Sequence, residues 1–528
     1  MKKYFNYFII FFSLNFLFCT QVLSANCTDI SGSTATFSTS CTDLDIDGDG
    51  SNVTINSGVT IDGTSDAVGF ANATNTTLTN NGTISSSGSR GLRTTTSATI
   101  NDLSNNGTIS AGGSSGIRND GTITTLTNTN TISATGGYGI YNITGATIGT
   151  ITNSGTISAG TSFGLRNNGA AIINTLTNSG TISADQSCLW NGGTITTLTN
   201  TSNIKALDGE FGLKNVKGTI GTLTNSGTIS ASGNYGLFND QNSTSTAIIT
   251  TLINSGTISA GSNSGLWNDG TITTLTNTDT GNIKALDGNF GLKNVNGTIG
   301  TLTNSGTISA SGNYGLYNDG TATITTLTNT GTISSSGNEI GIYNDSTITT
   351  LNNSQGASSS ALTYTGNLPT NYNVIVNSTS DFGKTTFSNA SGTTNFGVHS
   401  TSTLAASTTY SSVLSGLSSS DIASGTSGSF VAGSTRNDWT LENSSSTLWD
   451  LVVAADQDIT PDTNTSVTSS VKPNVILGIN NLSSVTEVNF ANMNTYDCDL
   501  FDKNNICLSL GSRHTAINTP KTSSNSVV

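Results

Sequence analysis

Apolar residues recur in short alternating segments, at a nearly constant interval, along more than half of this chain. The pattern is clearest in a phrase close to L-T-N-S-G-T-I-S-A, whose successive copies begin 22 to 29 residues apart. A repeat interval in this range is typical of a solenoid, in which each unit stacks on its neighbours. The leading apolar residues of the copies, ending with a degenerate one, are Val53, Leu78, Leu103, Leu126, Ile151, Leu176, Leu198, Leu223, Leu252, Leu275, Leu302, Leu327 and Leu351.

Each repeat predicts three short strands. In 121–141 these are T-I-T-T-L, N-T-I-S-A and G-I-Y-N, in which Ile123, Leu126, Ile132 and Ile140 can face inward while neighbouring threonines and serines face outward. Gly and Asn between the segments suit the corners. The predicted fold is therefore all-β: a right-handed parallel β-helix of about twelve coils, with a β-rich C-terminal cap. The asparagine of each L-T-N is expected to bond to its equivalent in the next coil.

Composition narrows the choice of partners. The chain has 60 Gly, only 4 Pro and 9% charged residues, and its formal net charge is −14. An acidic surface rich in Thr and Ser argues against nucleic acid and against anionic membranes as partners, because both carry negative charge themselves.

The N-terminus has the features of a secretory signal peptide. Lys2 and Lys3 precede an apolar run from Tyr4 to Phe18, and small residues follow around Ser24. Cleavage is expected after Ser24 or the following alanine. The predicted organisation is a signal peptide (1–25), an N-terminal cap (26–52), β-helix repeats (53–360), a β-rich capping segment (361–456), a partly helical linker (457–494) and a C-terminal segment (495–528).

Export makes disulfide bonds feasible for the five cysteines that remain after the leader is removed. Cys27 with Cys41, and Cys498 with Cys507, are the natural local pairs. Cys188 stands where other repeats have Gly, which predicts a buried free thiol. The chain has no C-x-x-C motif and no metal-binding spacing that contains His, so no cofactor or metal is predicted.

One column of the repeat carries large side chains. If the Leu or Ile of the G-[L/I]-x-N phrase faces inward, the x residue faces outward. Aromatic and cationic side chains in one stripe can bind sugar faces or proteins. The simpler interpretation is a side-chain ladder that stabilises adjacent coils. The members of this stripe are Arg93, Arg118, Tyr141, Arg166, Trp190, Lys214, Phe238, Trp267, Lys293, Tyr317 and Tyr343.

Two further motifs have weak matches. Asp43, Asp45, Asp47 and Gly48 fit the first half of a calcium loop, but the twelfth position is Thr54, where such a loop needs Glu. The alternative is an edge strand whose aspartates discourage further pairing. The G-x-S-x-G match at 112–116 has no partner histidine within the repeats. The acidic residues of the coils appear scattered in the sequence, so an enzyme is not predicted.

The tail from Tyr496 to Leu510, Y-D-C-D-L-F-D-K-N-N-I-C-L-S-L, resembles the beginning of the outer-membrane barrel of bacterial autotransporters (type V secretion). The leader, the N-S-G-T-I-S repeats and the capping segment are similar to the same family. The resemblance implies a passenger that is threaded through the barrel and displayed at the cell surface, often as an adhesin. About 33 residues remain from Tyr496 onward, whereas a barrel needs at least about eight strands of ten residues, so the barrel is expected to be incomplete in this sequence.

The resulting hypothesis is a secreted or surface-displayed, non-enzymatic passenger that adheres to glycans or cell-surface proteins. It would lie at the cell surface or outer membrane, or outside the cell. Two alternatives remain open. A polysaccharide-active β-helix enzyme would gather acids and bases in one cleft. A structural or ice-binding rod would use outward Thr pairs such as Thr122/Thr124 and Thr271/Thr273 as a flat array.

Overall fold

The computed structural model describes residues 25–241, 246–432, 435–458, 514–518 and 523–527. It is a nearly all-β structure with 1% helix, built as a parallel-sheet β-solenoid of about 15 turns. The predicted fold class is therefore confirmed, while the right-handed winding stays a prediction and the number of turns exceeds the expected twelve. Cys498 and Cys507 lie outside the described residues. The predicted signal peptide and linker do so too, except for residue 25 and residues 457–458.

Three parallel sheets form the sides of the solenoid, and each takes one strand from each regular coil. The first, called the L-T-N sheet here, contains the longest strands because T-I-T-T-L-T-N supplies seven residues with high strand propensity. Its strands pair in chain order, each with the next. They are Thr34–Phe37, Asn52–Ile55, Thr76–Asn80, Thr99–Asn105, Thr122–Asn128, Thr147–Asn153, Ile172–Asn178, Thr194–Asn200, Thr219–Asn225, Ile248–Asn254, Thr271–Asn277, Thr298–Asn304, Thr323–Asn329, Thr347–Asn353, Asn371–Val374, Thr394–Val398 and Ile422–Ser424.

The second side, the T-I-S sheet, consists of shorter strands, each of which follows an L-T-N strand after a tight corner that contains Gly in most coils. Each of its regular strands buries one Ile and ends on a small residue. The strands are Cys41–Thr42, Thr60–Gly63, Thr83–Ser86, Thr108–Ala111, Thr131–Ala134, Thr156–Ala159, Thr181–Ala184, Asn203–Ala206, Thr228–Ala231, Thr257–Ala260, Asn282–Ala285, Thr307–Ala310 and Thr332–Ser335.

The third side, the G-L-x-N sheet, carries the predicted stripe. Its parallel strands are Ile30–Ser31, Leu44–Asp47, Asp66–Phe70, Arg90–Thr94, Ser115–Asn119, Tyr138–Asn142, Phe163–Asn167, Ser187–Asn191, Phe211–Val216, Tyr235–Asp240, Ser264–Asn268, Phe290–Val295, Tyr314–Asp319, Ile340–Asn344, Leu362–Asn367, Thr385–Ser391 and Thr408–Ser415. The strands Ser427–Ala432, Thr435–Ser445, Leu448–Val453 and Gln457–Asp458 extend it.

The core consists of continuous columns of identical side chains. Ile123, Leu126, Ile132 and Ile140 are all fully buried, as predicted, and each pairs in register with an Ile or Leu of the next coil. Since a single coil cannot cover its own apolar face, stacking supplies the burial that stabilises the fold. Each fully buried Ile or Leu contributes about 1.5–3 kcal/mol relative to an exposed side chain.

The predicted asparagine ladder is present inside the coils. The Nδ2 atom of Asn80 donates to Oδ1 of Asn105 at 2.8 Å, and the same bond repeats up to Asn329 and Asn353. A second ladder, which the sequence analysis did not predict, runs through the final Asn of each G-L-x-N strand, from Asn119 to Asn344. Buried amides are costly unless bonded, so these two ladders hold adjacent coils in one register.

Parallel winding extends past both ends of the regular repeat. It begins before Val53, because Ile30 already pairs with Ile46, and it continues beyond residue 360 as far as the Ile422–Ser424 strand. After Thr332–Ser335 the coils contribute strands to two sheets only. Gln355 lies at that edge, where its Oε1 atom accepts a hydrogen bond of 2.8 Å from the backbone nitrogen of Ile333. The side-chain amide thus replaces the next strand.

An antiparallel hairpin follows the last coils. Thr435–Ser445 pairs antiparallel with Leu448–Val453, which places Trp439 and Trp449 on the two arms of the hairpin. Both indoles are buried, and Nε1 of Trp449 donates to the carbonyl oxygen of Leu417 at 2.8 Å. The hairpin therefore covers the apolar end of this unit, as a solenoid requires.

The chain divides into two compact units, 1–430 with 437–455 and 431–436 with 456–528. In the second unit, Thr435 and Arg436 pair antiparallel with Asp458 and Gln457. Its other described strands, His514–Asn518 and Ser523–Val527, form an antiparallel pair. The tail phrase that carries the family resemblance lies outside the described residues.

Candidate functional site

The predicted stripe forms one continuous column on the outer surface of the G-L-x-N sheet. Arg93 pairs in register with Arg118, and the register continues without a break to Tyr317 and Tyr343. All eleven side chains are partly exposed, whereas the Leu or Ile that precedes each is buried. The structure therefore brings all of the predicted stripe residues together on one face.

A second aromatic column lies beside the stripe, three residues earlier in each strand. The sequence analysis did not predict this column, because simple alternation places Tyr138 on the same side as the buried Ile140. Between them stands Gly139, where an added Cβ would lie 2.5 Å from the carbonyl oxygen of Gly164. The strand therefore has two consecutive inward positions, and both flanking tyrosines point outward. The aromatic members are Tyr138, Phe163, Phe211, Tyr235, Phe290 and Tyr314.

The two columns together are called the aromatic face here, and cations lie between their rings. The guanidinium carbon of Arg166 is 4.7 Å from the ring centroid of Trp190 and 5.4 Å from that of Tyr138. Lys293 places its Nζ atom 4.1 Å from the Trp267 ring. Such cation–π contacts stabilise the face by about 0.5–2 kcal/mol each. The simpler interpretation, a side-chain ladder between coils, is thus part of what these residues do.

Burial changes the electrostatics of this face. It lowers the pKa of Lys293, although the nearby carboxylate of Asp319 partly opposes the shift. It also raises the pKa of Tyr317, to which Asp319 adds. Both shifts follow from withdrawing a charged form from water. The lysine and the tyrosine hydroxyl thus lie in a medium less polar than water, where hydrogen bonds to a ligand gain strength.

The arginine-rich end of the stripe is occupied by ion pairs. Arg93 and Arg118 share the buried carboxylate of Asp120, at 3.2 and 2.6 Å. Arg90 and Arg93 also contact Asp66, at 2.9 and 3.8 Å. A charge-paired cluster of this kind is a structural element of the first coils. The aromatic side chains of the aromatic face begin at Tyr138 and continue to Tyr343.

A groove of about 360 Å³ interrupts the aromatic face. Phe163, Trp190 and Phe211 supply its apolar surface, and the exposed residues Asp185 and Glu210 line it as well. Asp208 also lines it. The sequence analysis regarded the acidic residues of the coils as scattered, but the stacking of two adjacent coils brings these three into one place.

The remaining candidates are placed as follows. Cys27 and Cys41 form a disulfide, with their Cα atoms 5.0 Å apart. Cys188 is a free, buried thiol, and burial raises its pKa, so it lacks thiolate character. The predicted pair Cys498 and Cys507 lies outside the described residues.

The half calcium loop is part of an N-terminal strand. Leu44 and Ile46 are buried, and Asp47 accepts hydrogen bonds from the backbone nitrogens of Gly48 and Asn72. Across the described ranges, no group of three or more His, Cys, Asp or Glu side chains is arranged to hold a metal ion. The edge-strand interpretation is wrong, because this strand pairs with Ile30–Ser31 on one side and with Asp66–Phe70 on the other.

Comparison of this chain with protein-family models, with curated proteins and with solved structures finds no match. Within the described residues, no helix is long and apolar enough to span a membrane.

Proposed function

We propose that this chain is a secreted, non-enzymatic passenger of the autotransporter type, displayed at or released from the cell surface, which adheres to other surfaces through its aromatic face. One observation carries the proposal: two adjacent columns of large aromatic and cationic side chains line one sheet over many coils. The outward positions of the other two sheets are mostly Thr, Ser and Asn.

Large aromatic side chains and arginines contribute most of the binding energy in protein interfaces. Here the rings stack on one another, so the face is already ordered before a ligand arrives: Phe211 and Phe238 are parallel within 11°, at 5.6 Å between centroids. A preformed surface loses little conformational entropy on binding. Repetition along the solenoid adds further sites, and simultaneous engagement of several weak sites strengthens adhesion. Glycans or cell-surface proteins are the partners proposed.

The direct test replaces Trp190 and Trp267 together by Ala and measures adhesion to glycan arrays and to cells. The matched control replaces Thr196 and Thr273 by Ala; both are exposed residues of the L-T-N strands that directly follow the two tryptophans. We expect the tryptophan variant to lose adhesion, and the threonine variant to keep it, at similar melting temperatures. Adhesion that is unchanged, or that falls only in step with stability, would show that the face is scaffold.

Two further parts of the proposal, that the chain is secreted and that it is not an enzyme, are tested separately. N-terminal sequencing of protein recovered from the periplasm or the cell surface should begin at Ala25 or Asn26, and an intact Met1 would contradict secretion through a cleaved leader. Incubation with polysaccharides should leave their chain length unchanged. Shorter products, lost on replacing Asp208 or Glu210, would instead establish the polysaccharide-active enzyme.

A further inference from the structure

The groove in the aromatic face exists because a small residue interrupts a column of rings. Phe163, Ser187 and Phe211 occupy the same register position in three successive coils. Coils are about 4.8 Å apart, so the two phenylalanines are separated by about 10 Å, with no ring at the register position between them. The Trp190 ring of the intervening coil lies 6.2 Å from that of Phe163 and is tilted by 43°. The spacing of the two phenylalanines leaves room for one flat ring of a ligand, and the volume of about 360 Å³ lies within the range of small-molecule sites.

A serine also interrupts the column of rings in a later coil, but there a tryptophan fills the gap. Ser264 also lies between aromatic neighbours, Tyr235 and Phe290. There, however, the indole of Trp267 meets the Tyr235 ring edge-on at 5.0 Å, and its Nε1 atom is buried without a hydrogen-bond partner. The tryptophan itself provides the ring that the column lacks.

The two tryptophans differ because the residues that follow them differ. Trp190 is followed at the second position by Gly192, and an added Cβ there would collide with the six-membered ring of the indole. The indole therefore lies over the bare backbone of Gly192. The corresponding residue after Trp267 is Asp269, which carries a side chain where Gly192 has none. Gly192 thus accommodates the Trp190 ring at one end of the groove.

The polar groups of the groove offer both acceptors and a donor. Asp185, Asp208 and Glu210 provide carboxylate acceptors. Lys214 provides the donor: its ammonium lies 4.4 Å from the Phe211 ring centroid and 3.2 Å from Oδ2 of Asp240. Three carboxylates outnumber the one ammonium, which is already paired with Asp240, so the groove disfavours an anionic ligand. A neutral polyhydroxylated ring can bond to both kinds of group while its apolar face rests on the aromatic rings.

We propose that this groove binds one neutral pyranose ring of an oligosaccharide, so that it is a defined saccharide subsite within the aromatic face. The inference rests on the proposed adhesive function and specifies its ligand class. The aromatic rings supply apolar contact, while the carboxylates and Lys214 fix the orientation of the sugar through its hydroxyl groups.

The test titrates the purified chain with three neutral trisaccharides (maltotriose, cellotriose and triacetylchitotriose), with trigalacturonate as the anionic probe and chitotriose as the cationic one. Binding is followed by calorimetry and by tryptophan fluorescence. We expect at least one neutral probe to bind more tightly than both charged probes. Ser187→Phe, which restores the ring found in both neighbouring coils, should abolish binding, and Gly192→Asp should weaken it.

Asp208→Asn is the milder variant and should weaken binding at least about tenfold. Its matched control is Asp287→Asn, the corresponding residue in the segment 270–319, which nearly repeats the sequence of 193–240. This control should leave affinity unchanged. If Ser187→Phe does not fold, Asp208→Asn decides alone. The subsite would be overturned if no neutral probe binds, if a charged probe binds more tightly, or if Asp208→Asn and Asp287→Asn behave alike. Adhesion that needs Trp267 but not Asp208 would leave the adhesive function in place while removing the subsite.

Discussion

Asn225 donates a hydrogen bond of 2.8 Å from Nδ2 to Oδ1 of Asn254, although 29 residues separate the two. The corresponding pair Asn178 and Asn200 is joined at the same distance by a bond that spans only 22 residues. Coil length therefore varies without affecting the inner ladder. The ladder, and not the number of residues per coil, sets the register of the solenoid.

Replacing Asn225 by Ala is expected to lower the free energy of unfolding by roughly 2–4 kcal/mol, since it removes several buried hydrogen bonds and leaves Oδ1 of Asn254 without its side-chain donor. Urea unfolding followed by circular dichroism measures the change. The control is Thr224→Ile, one residue earlier on the outer surface, where the next coil already has Ile253. Equal effects of the two variants would contradict the structural role of the ladder.

Replacing Ile308 by Asp should disrupt its coil, because this fully buried side chain contacts equivalent isoleucines on both sides and an unpaired buried charge costs several kcal/mol. We expect a large fall in melting temperature and a loss of strand signal in far-UV circular dichroism. Ser309→Asp, on the outer surface of the same strand, should change stability little. A well-folded Ile308→Asp protein would argue against the columns of buried Ile.

The disulfide between Cys27 and Cys41 closes a loop with a sequence separation of 14 residues, for which the entropic stabilisation is about 3 kcal/mol. Replacing both cysteines by Ser should therefore lower the stability of the N-terminal coils, measured by hydrogen exchange of their backbone amides. Amides in the coils around Ile308 should exchange as before. Unaltered exchange near Cys27 would show that the disulfide is dispensable.

Asp45 should make the free energy of unfolding depend on pH. Partial burial raises its pKa above 3.8, and neighbouring carboxylates, first Asp29 and then Asp43, add to the shift. Stability from this group is fully present below about pH 3.8 and is lost as pH rises through the higher folded-state value. Asp45→Asn should therefore raise the melting temperature at pH 7 but not at pH 3.

Asp49 provides a control of opposite sign. Hydrogen bonds from Thr74 and Asn75 lower its pKa, so its contribution is present above pH 3.8 and is lost as pH falls through the lower folded-state value. Asp49→Asn should not raise stability at pH 7. If both variants raise the melting temperature at neutral pH to the same extent, general charge reduction, and not the position of Asp45, explains the gain.

Much of the fold could be predicted from sequence because the same side chains recur at the same places. Leu126 and Ile132 are buried, and the asparagines form a ladder, since a regular repeat leaves only one way to stack them. The second ladder could have been found by the same reasoning, because Asn119 and Asn142 recur in the G-L-x-N phrase just as regularly.

Other features depend on local breaks in regularity. The coils after Leu351 were not predicted because Tyr364, Tyr372 and Phe387 fill their core in place of the repeated Ile and Leu. Burial raises the pKa of Tyr372 to about 12, although its hydroxyl lies 2.8 Å from that of Thr385. Large side chains of this kind fill a core between two sheets. They do not recur at a regular interval, so the sequence shows no repeat in these coils.

The groove could not be predicted for a related reason. Its outline depends on Ser187 interrupting an aromatic column that the sequence analysis did not recognise, and on Gly192 accommodating an indole. Its three carboxylates come from two consecutive coils. Asp185 is 23 residues from Asp208 in sequence, so only the stacking brings these two together.

The constant register of the coils allows the gene to gain or lose whole repeats during evolution. The segments 193–240 and 270–319 are near-copies, and Asn200 and Asn277 bond to their neighbours in the same way. Recombination between two such copies adds or removes whole coils, and each new junction finds the same Ile, Leu and Asn partners that it had before. The length of the protein can therefore drift in units of coils during evolution while every interior contact is conserved.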